Sequence, residues 1–167
     1  MSAAYLAIGS NLEPRETYLR RAIEELSTAG AIQKIAPIYE SEPYGITDQP
    51  LFLNSAVLID TNLAPRDLLR EIKDIERRLG RKPRSHWGPR EIDLDIIFYG
   101  SDIIREDDLR IPHHDYQNRR FVLQPLTDLD PQFLAPDTQK TMRQALRECP
   151  DHSRLILLKK DWASHGT

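Results

Sequence analysis

Asp93 and Asp95 are the residues of this 167-residue chain whose type and spacing speak most directly of chemistry. They stand in the run Glu91-Ile92-Asp93-Leu94-Asp95-Ile96-Ile97-Phe98-Tyr99, which reads as a strand over 92–99 although aspartate is depleted in strands. Side chains alternate along a strand, so both carboxylates point the same way, their Cα atoms roughly 7 Å apart, while Ile92, Leu94 and Ile96 face a core. Two like charges on one face repel unless a cation sits between them. A hard divalent ion such as Mg²⁺ suits the pair, because it prefers carboxylate oxygens and often takes only one or two from the protein. The plainer alternative is that both aspartates solvate the open face of an edge strand.

What precedes the pair favours the metal. The loop over 80–90, Gly80-Arg81-Lys82-Pro83-Arg84-Ser85-His86-Trp87-Gly88-Pro89-Arg90, holds four Lys/Arg and no acid, and its two Gly and two Pro keep it out of regular structure. Cations beside metal-binding carboxylates suit a polyphosphate, whose oxygens planar guanidinium groups grip in bidentate fashion. Arg77 and Arg78, at the end of a helix, are read only as complementing its dipole.

The elements that must position these groups follow from periodicity. A first strand over 4–8 ends at Gly9-Ser10-Asn11. Pro14 opens a helix with Leu19, Ala22, Ile23 and Leu26 as its apolar stripe, closed by Gly30. Strands follow over 32–39 and 52–60, the latter with Asn54-Ser55 inside it. Pro65 opens a second helix with Leu68, Leu69, Ile72, Ile75 and Leu79 inward and Gly80 as its stop. The strand with the aspartates completes a βαββαβ order. That order predicts an α+β, ferredoxin-like antiparallel sheet with helices packed on one face. Short helices are expected over 121–126 and 142–147 and a last strand over 155–158. A single domain should span 1–160, with 161–167 a frayed tail.

Composition sets bounds. Net charge is −3, so no basic field draws in nucleic acid, and the local basic loop suits a small anion. One cysteine, Cys149, excludes an intramolecular disulfide and fits a reducing compartment. No apolar run approaches a membrane span. A soluble, cytoplasmic protein is expected, with a monomer as the default. Neither G-x-x-x-x-G-K-[ST], G-x-G-x-x-G nor G-x-S-x-G occurs. His113-His114-Asp115 resembles a metal cluster, but neighbouring histidines on a loop are expected to diverge. One of them is better suited to hydrogen-bond a phosphate.

The run His86-Trp87-Gly88-Pro89-Arg90-Glu91-Ile92-Asp93-Leu94-Asp95-Ile96-Ile97 carries a resemblance as a whole. So do Ala7-Ile8-Gly9-Ser10-Asn11-Leu12, Asp48-Gln49-Pro50-Leu51-Phe52-Leu53-Asn54, Ile111-Pro112-His113 and Asn118-Arg119-Arg120-Phe121-Val122-Leu123-Gln124-Pro125-Leu126. Together they resemble the 6-hydroxymethyl-7,8-dihydropterin pyrophosphokinases of folate biosynthesis. The resemblance implies transfer of pyrophosphate from ATP to the pterin hydroxymethyl oxygen, with release of AMP. It implies that Asp93 and Asp95 hold two Mg²⁺ ions and that Arg81 and Arg90 act on the phosphates. Glu76, Trp87, Ile96, His113 and Arg119, together with Arg90, match positions associated with ATP. Ser41, Tyr44, Phe52, Asn54 and Phe121 match the pterin site, Asn54 reading the ring's hydrogen-bonding edge and the two phenylalanines stacking on it. From the residues alone, Phe52 and Phe121 read as core packing.

The match has departures. Ser41-Glu42-Pro43-Tyr44 stands where many members carry Thr-Pro-Pro-Leu, which opens the side-chain roles of Glu42 and Tyr44. Two rival readings are a metal-dependent nuclease or phosphohydrolase using Asp93, Asp95 and His113, with the basic loop gripping a phosphodiester, and a non-catalytic nucleotide-binding module of the ferredoxin-like type. The first conflicts with the net charge, the second with the joint presence of both aspartates, Arg81 and Arg90.

Overall fold

A computed structural model describes residues 1–42, 49–83 and 89–163. At its centre lies β1 (Ser2–Ser10), paired antiparallel along its whole length with β4 (Phe52–Thr61) and on its other side with β5 (Asp93–Tyr99). β2 (Ala31–Ile35) and β3 (Ile38–Ser41) lie end to end along the far side of β4, and β8 (Leu155–Lys159) adds a strand outside β3. Treating β2 and β3 as one strand, the order is that of a ferredoxin-like sheet, with β5, β1, β4 and β2/β3 side by side and β8 beyond.

The single strand expected over 32–39 is therefore two. Pro37 has no N–H to continue the ladder. The Ala36 carbonyl turns instead to the Ser55 hydroxyl at 2.8 Å and the Trp162 indole N–H at 2.7 Å. Trp162, expected in a frayed tail, is 3% exposed and packs into the core. An indole brings more apolar area than the other residues of this terminus, and its N–H has found a partner.

α1 (Arg15–Glu25) and α2 (Pro65–Arg78) cover one face of the sheet. Leu19, Ala22 and Ile23 of α1 and Leu68, Ile72 and Ile75 of α2 meet Leu6 and Ile8 of β1, Val57 and Ile59 of β4, and Leu94 and Ile96 of β5. The opposite face is covered as well, contrary to the one-sided packing expected. There α3 (Arg120–Leu129) and α4 (Met142–Glu148) bury Val122, Leu123, Leu126 and Met142 against Tyr5, Ala56 and Phe98. Tyrosines fasten the layer: from the sheet Tyr5 donates to Asp130 at 3.0 Å and Tyr39 to Asp128, and from the turn before α3 Tyr116 donates to Asp137 at 2.8 Å. Between β5 and α3, the small hairpin of β6 (Ile104–Arg105) and β7 (Arg110–Ile111) delivers the chain to His113. No helix among the described residues is long and apolar enough to cross a membrane.

Candidate functional site

Strand register builds the floor of the site. Gly9 of β1 lies opposite Asp93 of β5 on one side and Asn54 of β4 on the other. Residues directly opposite share a face, so Asp93, Gly9 and Asn54 form one row, with Asp95 and Ala7 in the next. Strands sit about 4.8 Å apart, which spaces Asp93 and Asn54 about 10 Å across the row. The small residues between them leave the floor open. A Cβ on Gly9 would approach the Leu53 carbonyl to 3.3 Å and Asn54 Oδ1 to 3.4 Å. β5 is an edge strand, as the plainer alternative supposed, yet its aspartates line a wall rather than face open solvent.

Above this floor is a cavity of about 810 Å³. It brings together Arg81, Arg90, Asp93, Asp95, His113 and Arg119 with Ser41, Phe52, Asn54 and Phe121. Phe52 and Phe121 are only half-buried, so the cavity holds both rings that the residues alone assigned to core packing. Two expected residues do not line it. Ile96 points to the other face of β5, into the core beneath α1 and α2, as alternation along the strand requires. Glu76 is buried behind the wall, 3% exposed. Tyr44 and Trp87 lie outside the described residues.

Several polar side chains of the site are held by a definite partner. Asn54, 5% exposed, donates to the Ser41 hydroxyl at 2.6 Å. The Glu76 carboxylate accepts the Leu94 N–H at 2.7 Å, fixing α2 to β5 between the two aspartates. Arg81 pairs with Glu76 at 2.7 Å and with Asp93 at 3.3 Å. Its backbone is set by the end of α2. Gly80 adopts φ +94°, its N–H meets the Arg77 carbonyl, and the Arg81 N–H returns to the Glu76 carbonyl, both at 3.0 Å. That left-handed turn favours glycine and folds Arg81 back over Glu76. On the other side of the cavity, the outward carbonyl of Ile97 accepts the His113 N–H at 3.0 Å. Arg119, just before α3, is aimed by Asp115 at 3.1 Å.

Electrostatics at the site are uneven. Burial, reinforced by the charge of Asp93, pushes the Asp95 carboxyl up to about 7. This is the cost of burying one acid close to another, and a bound cation would relieve it. The donors are hard carboxylate oxygens, and no group of three or more metal-binding side chains occurs among the described residues. An ion that keeps several waters and takes few protein ligands fits such a pair. His113 is lowered to about 4 by burial, then by Arg119 and His114. Its Nδ1 accepts the Asp115 N–H at 3.2 Å, which leaves the proton on Nε2 of a neutral ring. The expected divergence of the histidines is not found: the His113 and His114 rings stack with centroids 4.7 Å apart.

Three residues were missed in the sequence. Lys73 of α2 lines the cavity. Gly9 forms its floor. Asn11, fully buried, accepts the Arg90 N–H at 2.7 Å and donates to Gln49 at 2.9 Å and to the Pro50 carbonyl at 3.1 Å. It ties the segments on both sides of the cavity to the end of β1. Glu76, named through the resemblance, also carried a signal in the residues themselves, since it falls on the inward stripe of α2 with Ile72 and Ile75, where an acid needs a partner.

Known proteins resemble this chain along most of its length. The family model described as 7,8-dihydro-6-hydroxymethylpterin-pyrophosphokinase (HPPK) matches residues 5–131. The 2-amino-4-hydroxy-6-hydroxymethyldihydropteridine pyrophosphokinase of Aquifex aeolicus is 40% identical over 144 residues, covering 86% of this chain and 90% of its own. The protein of the same name from Pseudomonas aeruginosa is 42% identical over 149 residues, covering 87% and 91%. Among solved structures, an HPPK-DHPS triple mutant from Plasmodium falciparum superposes with a TM-score of 0.71 at 18% identity. That match covers 88% of this chain and 44% of the other, so this chain spans less than half of that one. At such identity the likeness concerns the fold.

Proposed function

The chain belongs to the 7,8-dihydro-6-hydroxymethylpterin-pyrophosphokinase family, and on that premise we propose how its cavity transfers pyrophosphate from ATP to 6-hydroxymethyl-7,8-dihydropterin. The pterin hydroxymethyl oxygen attacks the β-phosphorus of ATP. The bond from that phosphorus to the oxygen bridging the α-phosphate breaks, AMP leaves with the bonding electrons, and the hydroxyl proton is released to solvent. The observation that carries this reading is one cavity lined by Asp93, Asp95 and three arginines together with Asn54, Phe52 and Phe121, with Asp93 and Asn54 on either side of Gly9. The separation of about 10 Å along the floor suits a bicyclic ring that presents its substituent to the aspartates.

Asp93 and Asp95 would hold Mg²⁺, two ions in this reading, which would neutralise the phosphates and favour both the entering and the leaving oxygen. Arg81, Arg90 and Arg119 grip phosphate oxygens and position the chain of the nucleotide. His113, neutral with its proton on Nε2, serves as a hydrogen-bond donor without adding charge. Asn54 offers both a donor and an acceptor to the pterin edge. Glu76 acts behind this layer by holding the Leu94 N–H and, while no nucleotide is bound, the Arg81 side chain. Beside this reading we keep a cytoplasmic monomer without a nucleic-acid partner, and extend its one domain from 160 to include Trp162, which packs into the core.

Incubation with ATP, Mg²⁺ and hydroxymethyldihydropterin tests the proposal. AMP and the pyrophosphorylated pterin should form in equal amounts, and only with all three present. ADP in place of AMP, or cleavage of a phosphodiester without pterin, would overturn it.

A further inference from the structure

The Glu76 carboxylate, 4% exposed, serves three donors from three places. Oε2 takes the Leu94 N–H. Oε1 is shared by two cations, Arg81 at 2.7 Å and Lys73 at 3.4 Å. Lys73 stands three residues back on α2, and among the described residues its one ion pair is with Glu76. Arg81 has a second anchor, Asp93, at 3.3 Å. Arg81 therefore rests on two carboxylates, one of which the proposed function gives to the metal.

We propose that Lys73 is a positioning residue: the counter-ion that stays on Glu76 when the Arg81 side chain leaves Glu76 and Asp93 for the phosphates of the nucleotide. The inference rests on the pyrophosphokinase reading for what draws Arg81 away, and on the shared carboxylate for the rest. A cation taken up by Asp93 repels Arg81, and a polyphosphate attracts it. Removing one partner from a buried ion pair strands the other charge, which is far more costly than the pair's net worth. A second cation on the same oxygen offsets that cost. Lys73 is suited to the task because its backbone sits in a helix and its ammonium reaches both the carboxylate and the cavity wall. Arg81 is suited to move. Its backbone is pinned by the turn at Gly80, so only the side chain has to swing. Burial raises the Glu76 carboxyl, and among the neighbouring charges that oppose this Lys73 stands first.

Two double-mutant cycles test the proposal. In metal-free protein either cation suffices for Glu76, so Lys73→Met and Arg81→Ala should each lower the urea midpoint slightly. The double variant should lose clearly more than the two losses together. Simple additivity overturns the shared role. The second cycle measures binding of a non-hydrolysable ATP analogue with Mg²⁺. Lys73→Met should weaken it roughly three- to tenfold when Arg81 is present, and Lys73→Arg should restore it. In the Arg81→Ala background the same substitution should cost nothing, because no arginine has to leave. An equal loss in both backgrounds makes Lys73 a direct ligand of the nucleotide and overturns the proposal. So does a loss of stability with unchanged binding. If the unmodified protein forms no AMP, the pyrophosphokinase reading falls, while the urea cycle still decides whether Lys73 and Arg81 share Glu76.

Discussion

Replacing Asp95 with asparagine should stabilise the metal-free protein while abolishing its activity. The carboxyl is raised from 3.8 to about 7, first by burial and then by the charge of Asp93. An acid whose folded pKa exceeds its unfolded one binds more protons when folded, so stability declines as pH rises from about 4 to about 7, and the full penalty stands above 7. Each pKa unit corresponds to about 1.4 kcal/mol, which makes roughly 4 kcal/mol an upper bound. Asp95 keeps partial exposure, and screening brings the expected gain to about 1–2 kcal/mol. For a chain of this size that is a rise in Tm of about 2–8 °C. Asparagine keeps the shape without the charge, so Asp95→Asn should show this rise at pH 8 without Mg²⁺ and lose it near pH 4. Incubated with ATP, Mg²⁺ and hydroxymethyldihydropterin it should form AMP at least a hundredfold more slowly, a neutral amide being a poor ligand for a hard cation. Thermal unfolding at several pH values, with and without Mg²⁺, reads both effects. No gain at pH 8, or a larger gain at pH 5 than at pH 8, would refute the assigned electrostatics.

Asn54→Ala should weaken pterin binding at least tenfold while leaving the ATP analogue nearly unaffected, at a stability cost of about 1 kcal/mol for the bond to Ser41; equal losses of both ligands by calorimetry would make the amide structural. Gly9→Val should block pterin binding in a folded protein, since even a Cβ lies 3.3–3.4 Å from its neighbours, and normal pterin affinity would contradict the proposed floor. Asn11→Ala strands the Arg90 N–H and the Pro50 carbonyl, so a loss of about 2–3 kcal/mol is expected in denaturant titration, together with a lower kcat; an unchanged midpoint would deny the hub. His113, lowered to about 4, should show no imidazole titration by NMR between pH 5 and 8. Because its unfolded form protonates near 6.5, the stability it contributes is present above that pH and lost as pH falls toward 4. Titration near 6.5 in the folded state would contradict its burial.

The helices and most strands were legible because their signals are local. Pro65 before an apolar stripe and Gly80 after it delimit α2 whatever lies around it. The Asp93–Asp95 spacing also survives intact, since alternation in a strand needs no tertiary knowledge. The second helical layer was not legible as a layer. Its segments were visible, but what places α3 over the sheet is a set of contacts between residues more than a hundred positions apart, such as Tyr5 with Asp130.

The same distinction divides the site. Residues that chemistry marks by type, the aspartates and the loop arginines, stand out in the sequence. Residues that act through shape or through another side chain do not. Gly9 matters for the atoms it lacks, and Asn11 for bonds that reach 79 positions along the chain. Lys73 reads as one more solvated lysine on the polar side of α2 until the buried carboxylate beside it is known. Glu76 is the point where the two classes meet. Its placement among Leu68, Ile72 and Ile75 violates the apolar pattern of the helix, and a charge kept inside such a stripe requires cations held against it. Asking which cations those are leads to Arg81 and Lys73, and from them to the aspartates. A break in periodicity thus points to the machinery behind the motif, where the motif itself points only to the reacting groups.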